Sequence, residues 1–217
     1  MKTFFTGKLA CEWLTKIKAK PHQAKLFVFD QILPPHPSLF GEPFIHNYYR
    51  SEYKIDLSNI YYYNLCRSKN LPMIGFGSGA AFLCAMAGGH VFQYVKHHYR
   101  DHTAFTCNGE VITCESSHNY MMNPYNLPVD DYKIIAVSEN LISSYEDALE
   151  TTVELPEDFN EPEIVWFPKI NALTLHCRPY FQGKKNTDSQ QIIKNIINDF
   201  INKKIQEYPE GKNCGIW

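Results

Sequence analysis

The sequence predicts an α/β fold in which a mostly parallel, doubly wound sheet is flanked by helices. Two compact apolar runs, Lys25–Phe29 and Leu71–Phe76, are typical of strands buried on both faces of a parallel sheet. The second run leads directly into the glycine turn Gly77–Gly79 and then into small, helix-forming residues. A strand, a glycine turn and a buried helix form the repeating unit of doubly wound folds.

The elements before and after this unit fit the same fold. Lys2–Thr6 is predicted to be a short strand, and Ile55–Ser68 a helix that ends before Pro72. The helix after the glycine turn, Ala80–Ala87, is expected to stop at Gly88-Gly89, which is a helix-ending signal.

The second half of the chain is predicted to contain a hairpin, three further strands and a last helix. Asn108-Gly109 separates two strand-like runs, Thr103–Cys107 and Glu110–Cys114, and is a strong signal for a tight hairpin turn. The further strands are Ile134–Ser138, Glu163–Phe167 and Ala172–His176. The last helix is expected to begin near Thr187, because apolar residues follow at helical spacing as far as Ile201.

Length and charge limit the function classes. A chain of 217 residues suits one α/β domain, so residues 1–217 are expected to form a single domain. The formal charge of -2 gives no electrostatic reason to expect nucleic acid or an anionic membrane as a partner. No apolar run approaches the roughly 18 residues that span a bilayer, and Met1–Gly7 lacks the features of a signal peptide.

Cysteine usage predicts a reducing compartment. The chain has seven cysteines, an odd number, and none of them forms a C-x-x-C pair. We therefore expect buried free thiols in a cytoplasmic protein. The abundance of Asn, Ile, Lys and Tyr is typical of AT-rich genomes, including many viral ones, which hints at a viral origin.

The glycine turn and its surroundings resemble a known catalytic motif. Residues Gly75–Gly89 read GFGSGAAFLCAMAGG. This segment resembles the nucleophile elbow of class I glutamine amidotransferases, in which G-I-C-x-G-x-Q-L-L is followed by small or apolar residues and G-G. The length and the glycine spacing agree without a gap.

Three other stretches resemble the same family in the expected order. Phe27–Phe29 with Pro37–Gly41 is similar to a strand-and-loop region of amidotransferases and γ-glutamyl hydrolases, and Ser116–Pro124 is similar to their SSHHQM loop. Ala172–Tyr180 is similar to the strand end that supplies the catalytic histidine and glutamate. The resemblance implies a flavodoxin-like sheet and no cofactor, and we expect a small β-hairpin excursion near residues 103–122.

The residues that would perform the family's chemistry are missing. In such enzymes a cysteine thiolate attacks the glutamine amide, a histidine transfers the proton, and an acid orients the histidine. The resemblance places Gly77 at the nucleophile position, Arg178 at the histidine position and Tyr180 at the acid position. Glycine offers no side chain to react, and arginine stays protonated and cannot act as a general base.

The surrounding motif has also changed. Gln31 and Ile32 stand where the family has the paired glycines of its oxyanion loop, and Ala81 replaces the glutamine that follows the nucleophile. Two thiols remain as alternative nucleophiles. Cys177 should point away from the site because it alternates with Arg178 along a strand, and Cys84 should lie in the core.

No metal site is predicted from sequence. His90, His97, His98 and His102 lie close together, but no neighbouring carboxylate or cysteine completes a recognisable ligand set. We interpret them as surface or hairpin histidines.

The preferred function is a non-catalytic binding, assembly or regulatory protein, with an unidentified protein partner or a second copy of the chain. In one variant a small anion binds the backbone of Gly77, Ser78 and Gly79 at the helix N-terminus, with His118 and Arg178 beside it. The alternative is an active amidotransferase or γ-glutamyl hydrolase with reassigned residues.

Overall fold

Eight strands and three helices make up the part of the chain that the structure describes. The computed structural model describes residues 1–6, 18–30, 54–138, 160–177 and 187–209, without the side chains of residues 54–57, 92–101, 115–119 and 187. The strands are β1 (Thr3–Thr6), β2 (Leu26–Asp30), β3 (Met73–Phe76), β4 (His90–Thr106), β5 (Val111–Asn123), β6 (Lys133–Ser138), β7 (Pro162–Phe167) and β8 (Ala172–Leu175). The helices are α1 (Lys54–Lys69), α2 (Ser78–Met86) and α3 (Thr187–Ile201).

All eight strands belong to one sheet with the order β1-β2-β3-β8-β7-β6-β4-β5. The first four strands in this order pair in parallel, and the remaining neighbours pair antiparallel. Each strand and helix predicted above is present, and apart from the two hairpin strands each lies within a few residues of its expected ends. The α/β fold with a helix-flanked central sheet is therefore confirmed.

The sheet is covered on both faces, as a doubly wound fold requires. Along β2, Leu26 and Val28 join one apolar cluster, whereas Phe27 and Phe29 join the other. The first cluster contains the apolar face of α3, and the second contains residues of α1 and α2. Because alternate residues of β2 point to opposite faces and both faces are buried, the strand had to be apolar throughout.

The predicted hairpin is present but longer than expected. Its turn contains Asn108-Gly109, with Gly109 at φ +80°, and its strands β4 and β5 extend over residues 90–123. β4 also pairs with β6, so the hairpin continues the sheet. The first half of β4 is rich in His, Lys and Arg and lacks apolar alternation, so a sequence pattern could not reveal it.

The chain passes from β7 to β8 through a tight turn. Residues Pro168–Ile170 form one 3-10 turn, and Asn171 adopts the left-handed conformation at φ 54° before β8 begins. None of the helices in the described ranges is long and apolar enough to cross a membrane.

Candidate functional site

The turn between β3 and α2 has the backbone of an elbow. Gly77 lies at φ 54° and ψ -117°, between the last residue of the strand and the first residue of the helix. Its N–H donates to the carbonyl of Leu175 at 2.9 Å, and its own carbonyl accepts the Ala80 N–H at 2.9 Å. The predicted strand-to-helix turn is therefore present, with α2 starting directly at its exit.

Two further glycines let the elbow pack tightly against the sheet. A β-carbon on Gly75 would lie 2.4 Å from the carbonyl oxygen of Gly79, and one on Gly79 would lie 2.0 Å from the carbonyl oxygen of Phe29. Both distances are far below van der Waals contact. Glycine at positions 75 and 79 is thus a packing requirement, whether or not the residue between them is a nucleophile.

The elbow presents backbone and one small polar side chain. Gly77 and Gly79 are buried, whereas Ser78 between them is half-buried. The N–H groups in the first turn of a helix have no partner within the helix, and the helix dipole favours negative charge at this end. The elbow therefore presents backbone N–H groups at a helix N-terminus and no side chain at the nucleophile position.

Several residues that the resemblance places at the site lie outside the described ranges. These include Arg178 and Tyr180 at the former histidine and acid positions, and Gln31 and Ile32 at the former oxyanion loop. His118 lies on β5, where the backbone register sets it opposite His98, but its side chain is not part of the description. Their predicted roles stay predictions.

Two buried polar residues that sequence analysis missed lie at the same edge of the sheet. Asp30 is the last residue of β2 and pairs in register with Phe76, immediately before the elbow. His176 directly follows β8, whose last residue Leu175 also pairs with Phe76. Both are fully buried. A sequence signal existed, since Asp30 directly follows a predicted strand and His176 is the last residue of another, and ligands of parallel sheets bind at the carboxyl ends of strands.

His176 is not arranged as a general base. Its Nε2 accepts the backbone N–H of Met122 at 2.9 Å, so the ring carries no proton on Nε2. That lone pair is therefore occupied by the protein itself. His176 therefore connects the strand end after β8 to β5 through this ring nitrogen.

The two alternative thiols lie in the core, as the sequence predicts. Cys84 and Cys177 are both fully buried, and burial raises the pKa of Cys84 to about 12. A thiol with such a pKa is almost entirely protonated at neutral pH and is a poor nucleophile. Every cysteine in the described residues is free and buried, which confirms that part of the cysteine prediction for Cys66, Cys84, Cys107, Cys114 and Cys177.

One histidine of the β4 group belongs to a buried polar cluster. His102 lies in the hairpin as expected, but its side chain is only 4% exposed, so the surface interpretation is wrong for this residue. Its Nε2 lies 2.6 Å from Oε1 of the fully buried Glu163. Cys114 completes a group in which the three donor atoms lie within 4.8 Å of one another.

The cluster supplies the carboxylate and the cysteine that sequence analysis did not find near the histidines. Glu163 is 61 residues away from His102, and only the sheet register joins them. Burial, followed by hydrogen bonding to Cys177, raises the pKa of Cys114 well above its usual range. The Cys114 thiol is therefore protonated at neutral pH in this arrangement.

Comparison with known proteins identifies the fold. No protein-family model and no curated protein matches the sequence. The solved structure of a protein assigned to GMP synthase, from Thermoplasma acidophilum, matches with a TM-score of 0.56 at 14% identity, over 95% of this chain and 98% of that chain. The solved structure of SMU.1228c matches with a TM-score of 0.51 at 12% identity, over 94% of this chain and 100% of that chain.

A glutamine amidotransferase from Thermotoga maritima is also similar, with a TM-score of 0.49 at 12% identity, over 88% of this chain and 70% of that chain. At these identities the likeness establishes the fold alone. The chain has a class I glutamine amidotransferase-like fold, as the sequence motifs predicted.

Proposed function

We propose that this chain is a catalytically inactive protein with a glutamine amidotransferase-like fold, acting as a binding, assembly or regulatory protein. The observation that carries the proposal is the residue at the elbow. Gly77 has the backbone conformation of a nucleophile position, at φ 54° and ψ -117°, and no side chain that could react. A fold that positions a nucleophile is kept here without the nucleophile.

Neither nearby thiol is suited to replace it. Cys84 is enclosed by its own helix and by Gly89, where even a β-carbon would lie 2.5 Å from the Cys84 Sγ. Cys177 belongs to the apolar cluster under α3, on the opposite face of the sheet from α2. Loss of a catalytic nucleophile costs on the order of 10⁶ in rate in measured triad knockouts.

The retained elbow supports the binding form of the proposal. Gly77, Ser78 and Gly79 lie at the N-terminus of α2, and the Gly77 N–H is bonded to the Leu175 carbonyl. The N–H groups of Ser78 and Gly79 and the helix dipole would stabilise a carboxylate or another small anion there. Ser78 adds a hydroxyl at the same place. His118 and Arg178 are the proposed side-chain partners of such an anion, by resemblance.

Assays of ammonia release test the loss of catalysis. The purified full chain is incubated with glutamine and, separately, with γ-glutamyl peptides. We expect both rates to equal the rate without protein. Turnover above this background that disappears in Cys84→Ala or Cys177→Ala, while Cys66→Ala retains it, would overturn the proposal, because Cys66 is an equally buried thiol on α1.

Native mass spectrometry tests the assembly form. We expect the purified chain to form a discrete homo-oligomer or to retain a stoichiometric protein partner through purification. A monomer that binds neither a partner nor a carboxylate such as glutamate in calorimetric titration would contradict both forms of binding.

A further inference from the structure

The cluster of His102, Cys114 and Glu163 brings three kinds of metal-binding atom together in the interior. An imidazole nitrogen, a thiol sulfur and a carboxylate oxygen lie within 4.8 Å of one another, and all three side chains are buried. They come from three different strands, β4, β5 and β7. Neither the proposed binding function nor the elbow uses any of them.

The sheet register explains why these side chains meet. His102 and Cys114 are directly opposite each other in the antiparallel β4–β5 ladder, which places their side chains on one face. β6 ends at Ser138, whose partner on β4 is Ala104. His102 therefore lies beyond the end of β6, and its side chain reaches Glu163 on the next strand at 2.6 Å.

A second thiol adjoins the cluster. Cys177 follows β8, is fully buried, and lies close enough to Cys114 for the two thiols to interact. The two cysteines belong to the same apolar cluster beneath α3. Three donor side chains thus converge, and the Cys177 thiol lies beside them as the candidate for a fourth ligand.

The charge of the cluster also requires explanation. A glutamate whose side chain is 0% exposed is costly to ionise unless it is paired with a positive charge. His102 supplies that charge only when it is protonated. A divalent cation would instead balance Glu163 and a Cys114 thiolate together, leaving the histidine neutral.

We infer that His102, Cys114, Glu163 and Cys177 form a structural zinc site. Zinc favours tetrahedral sets of thiolate, imidazole and carboxylate ligands. Binding replaces the His102–Glu163 hydrogen bond with bonds to the cation, and the protons of the thiols are released. Because all four side chains are buried, the site is closed to substrate and stabilises the antiparallel half of the sheet. This inference is independent of the proposed function.

Cobalt substitution tests the site. The full chain, freed of metal with a chelator, is titrated with Co²⁺, whose visible absorption is intense in tetrahedral sites and which shows a near-ultraviolet band when bound to thiolate. We expect one equivalent of Co²⁺ to produce both signals and one equivalent of Zn²⁺ to remove them. Zn²⁺ should also raise the unfolding temperature, since it binds the folded chain preferentially.

Variants locate the binding site. Cys114→Ser and His102→Gln are expected to weaken Zn²⁺ binding by at least about 100-fold, because even changes to residues behind the ligands typically cost 10- to 100-fold. Cys66→Ser is the matched control, since it removes a buried thiol far along the chain on α1 and should bind like the unmodified chain. Circular dichroism of each variant checks that it is folded.

Two results would overturn the inference. The first is an unmodified chain that binds no stoichiometric Co²⁺ or Zn²⁺, a result that needs no variant to fold. The second is a thiolate–cobalt band that persists unchanged in folded Cys114→Ser or is lost in folded Cys66→Ser, since the cation would then be bound elsewhere.

Discussion

At the scale of single residues, Gly77 has the backbone conformation of a nucleophile elbow but no side chain that could react. A residue with a β-carbon at φ 54° and ψ -117° stores conformational strain, which enzymes tolerate where a nucleophile must project from the turn. Glycine adopts the same backbone at little steric cost. The substitution that removes the nucleophile therefore also removes strain, so the turn is retained without the reaction that would require it.

Gly77→Ala is expected to lower the free energy of unfolding by about 1–3 kcal/mol, because the new β-carbon restores the strain of the turn. Urea unfolding measures the difference. The matched control is Ser78→Ala, whose position is the first residue of α2 and has no positive φ, so its effect should stay within about 0.5 kcal/mol. Equal effects of the two variants would show that the elbow backbone is not strained for a residue other than glycine.

At the scale of elements, the unit of β3, the elbow and α2 is held to the sheet by aromatic packing as well as by close glycine contacts. Phe82 on α2 is fully buried and stacks on Phe29 of β2 with ring centroids 5.3 Å apart. It also meets Tyr63 of α1 edge-on, and the Tyr63 hydroxyl donates to the carbonyl of Met86 at the end of α2. Phe82 thus joins both helices of this face to the sheet.

Phe82→Ala is expected to destabilise the fold by about 3–5 kcal/mol, the usual cost of emptying a buried aromatic position. Chemical unfolding followed by circular dichroism provides the measurement. Tyr61→Ala on α1 is the control, because Tyr61 is 63% exposed and its loss should change stability by no more than about 0.5 kcal/mol. A loss below about 1 kcal/mol in Phe82→Ala would mean that α2 is not anchored through this side chain.

At the scale of the whole molecule, buried thiols connect stability to pH. Burial raises the pKa of Cys66 and of Cys84 from 9.0 to about 12 in each case. At pH values below the ordinary thiol pKa, both thiols are protonated in the folded chain and in the unfolded chain. As the pH rises from that value towards 12, the unfolded chain loses protons that the folded chain keeps, so the contribution of each thiol to stability is lost.

The free energy of unfolding is therefore expected to fall as the pH is raised from about 8 to about 10. Each buried thiol contributes a slope of up to about 1.4 kcal/mol per pH unit. The double variant Cys66→Ala, Cys84→Ala should show a shallower slope than the unmodified chain in urea unfolding. The pH slopes are compared, and not the free energies of unfolding themselves, because the variants also lose packing contacts. Identical slopes would mean that these thiols titrate alike in both states.

Much of the fold and part of the site could be predicted from local patterns. Apolar runs indicated β2 and β3, glycine spacing indicated the elbow, and Asn108-Gly109 indicated the hairpin turn, because each pattern depends only on neighbouring residues. The polar first half of β4 carried no such pattern. The roles of His102 and Glu163 could not be predicted, since their contact joins residues 61 positions apart through the register of neighbouring strands.

The sequence by itself determined that the elbow carries glycine at the position of the nucleophile. The residue type at a position is given by the sequence and does not depend on how the chain folds. The sequence also determined the turn, since only glycine fits there without strain or collision. The tertiary structure alone decided that the pKa of Cys84 is raised to about 12, that His176 accepts a backbone N–H, and that His102 meets Cys114 and Glu163. Burial and register depend on distant parts of the chain, and they set the protonation and the partners of each group.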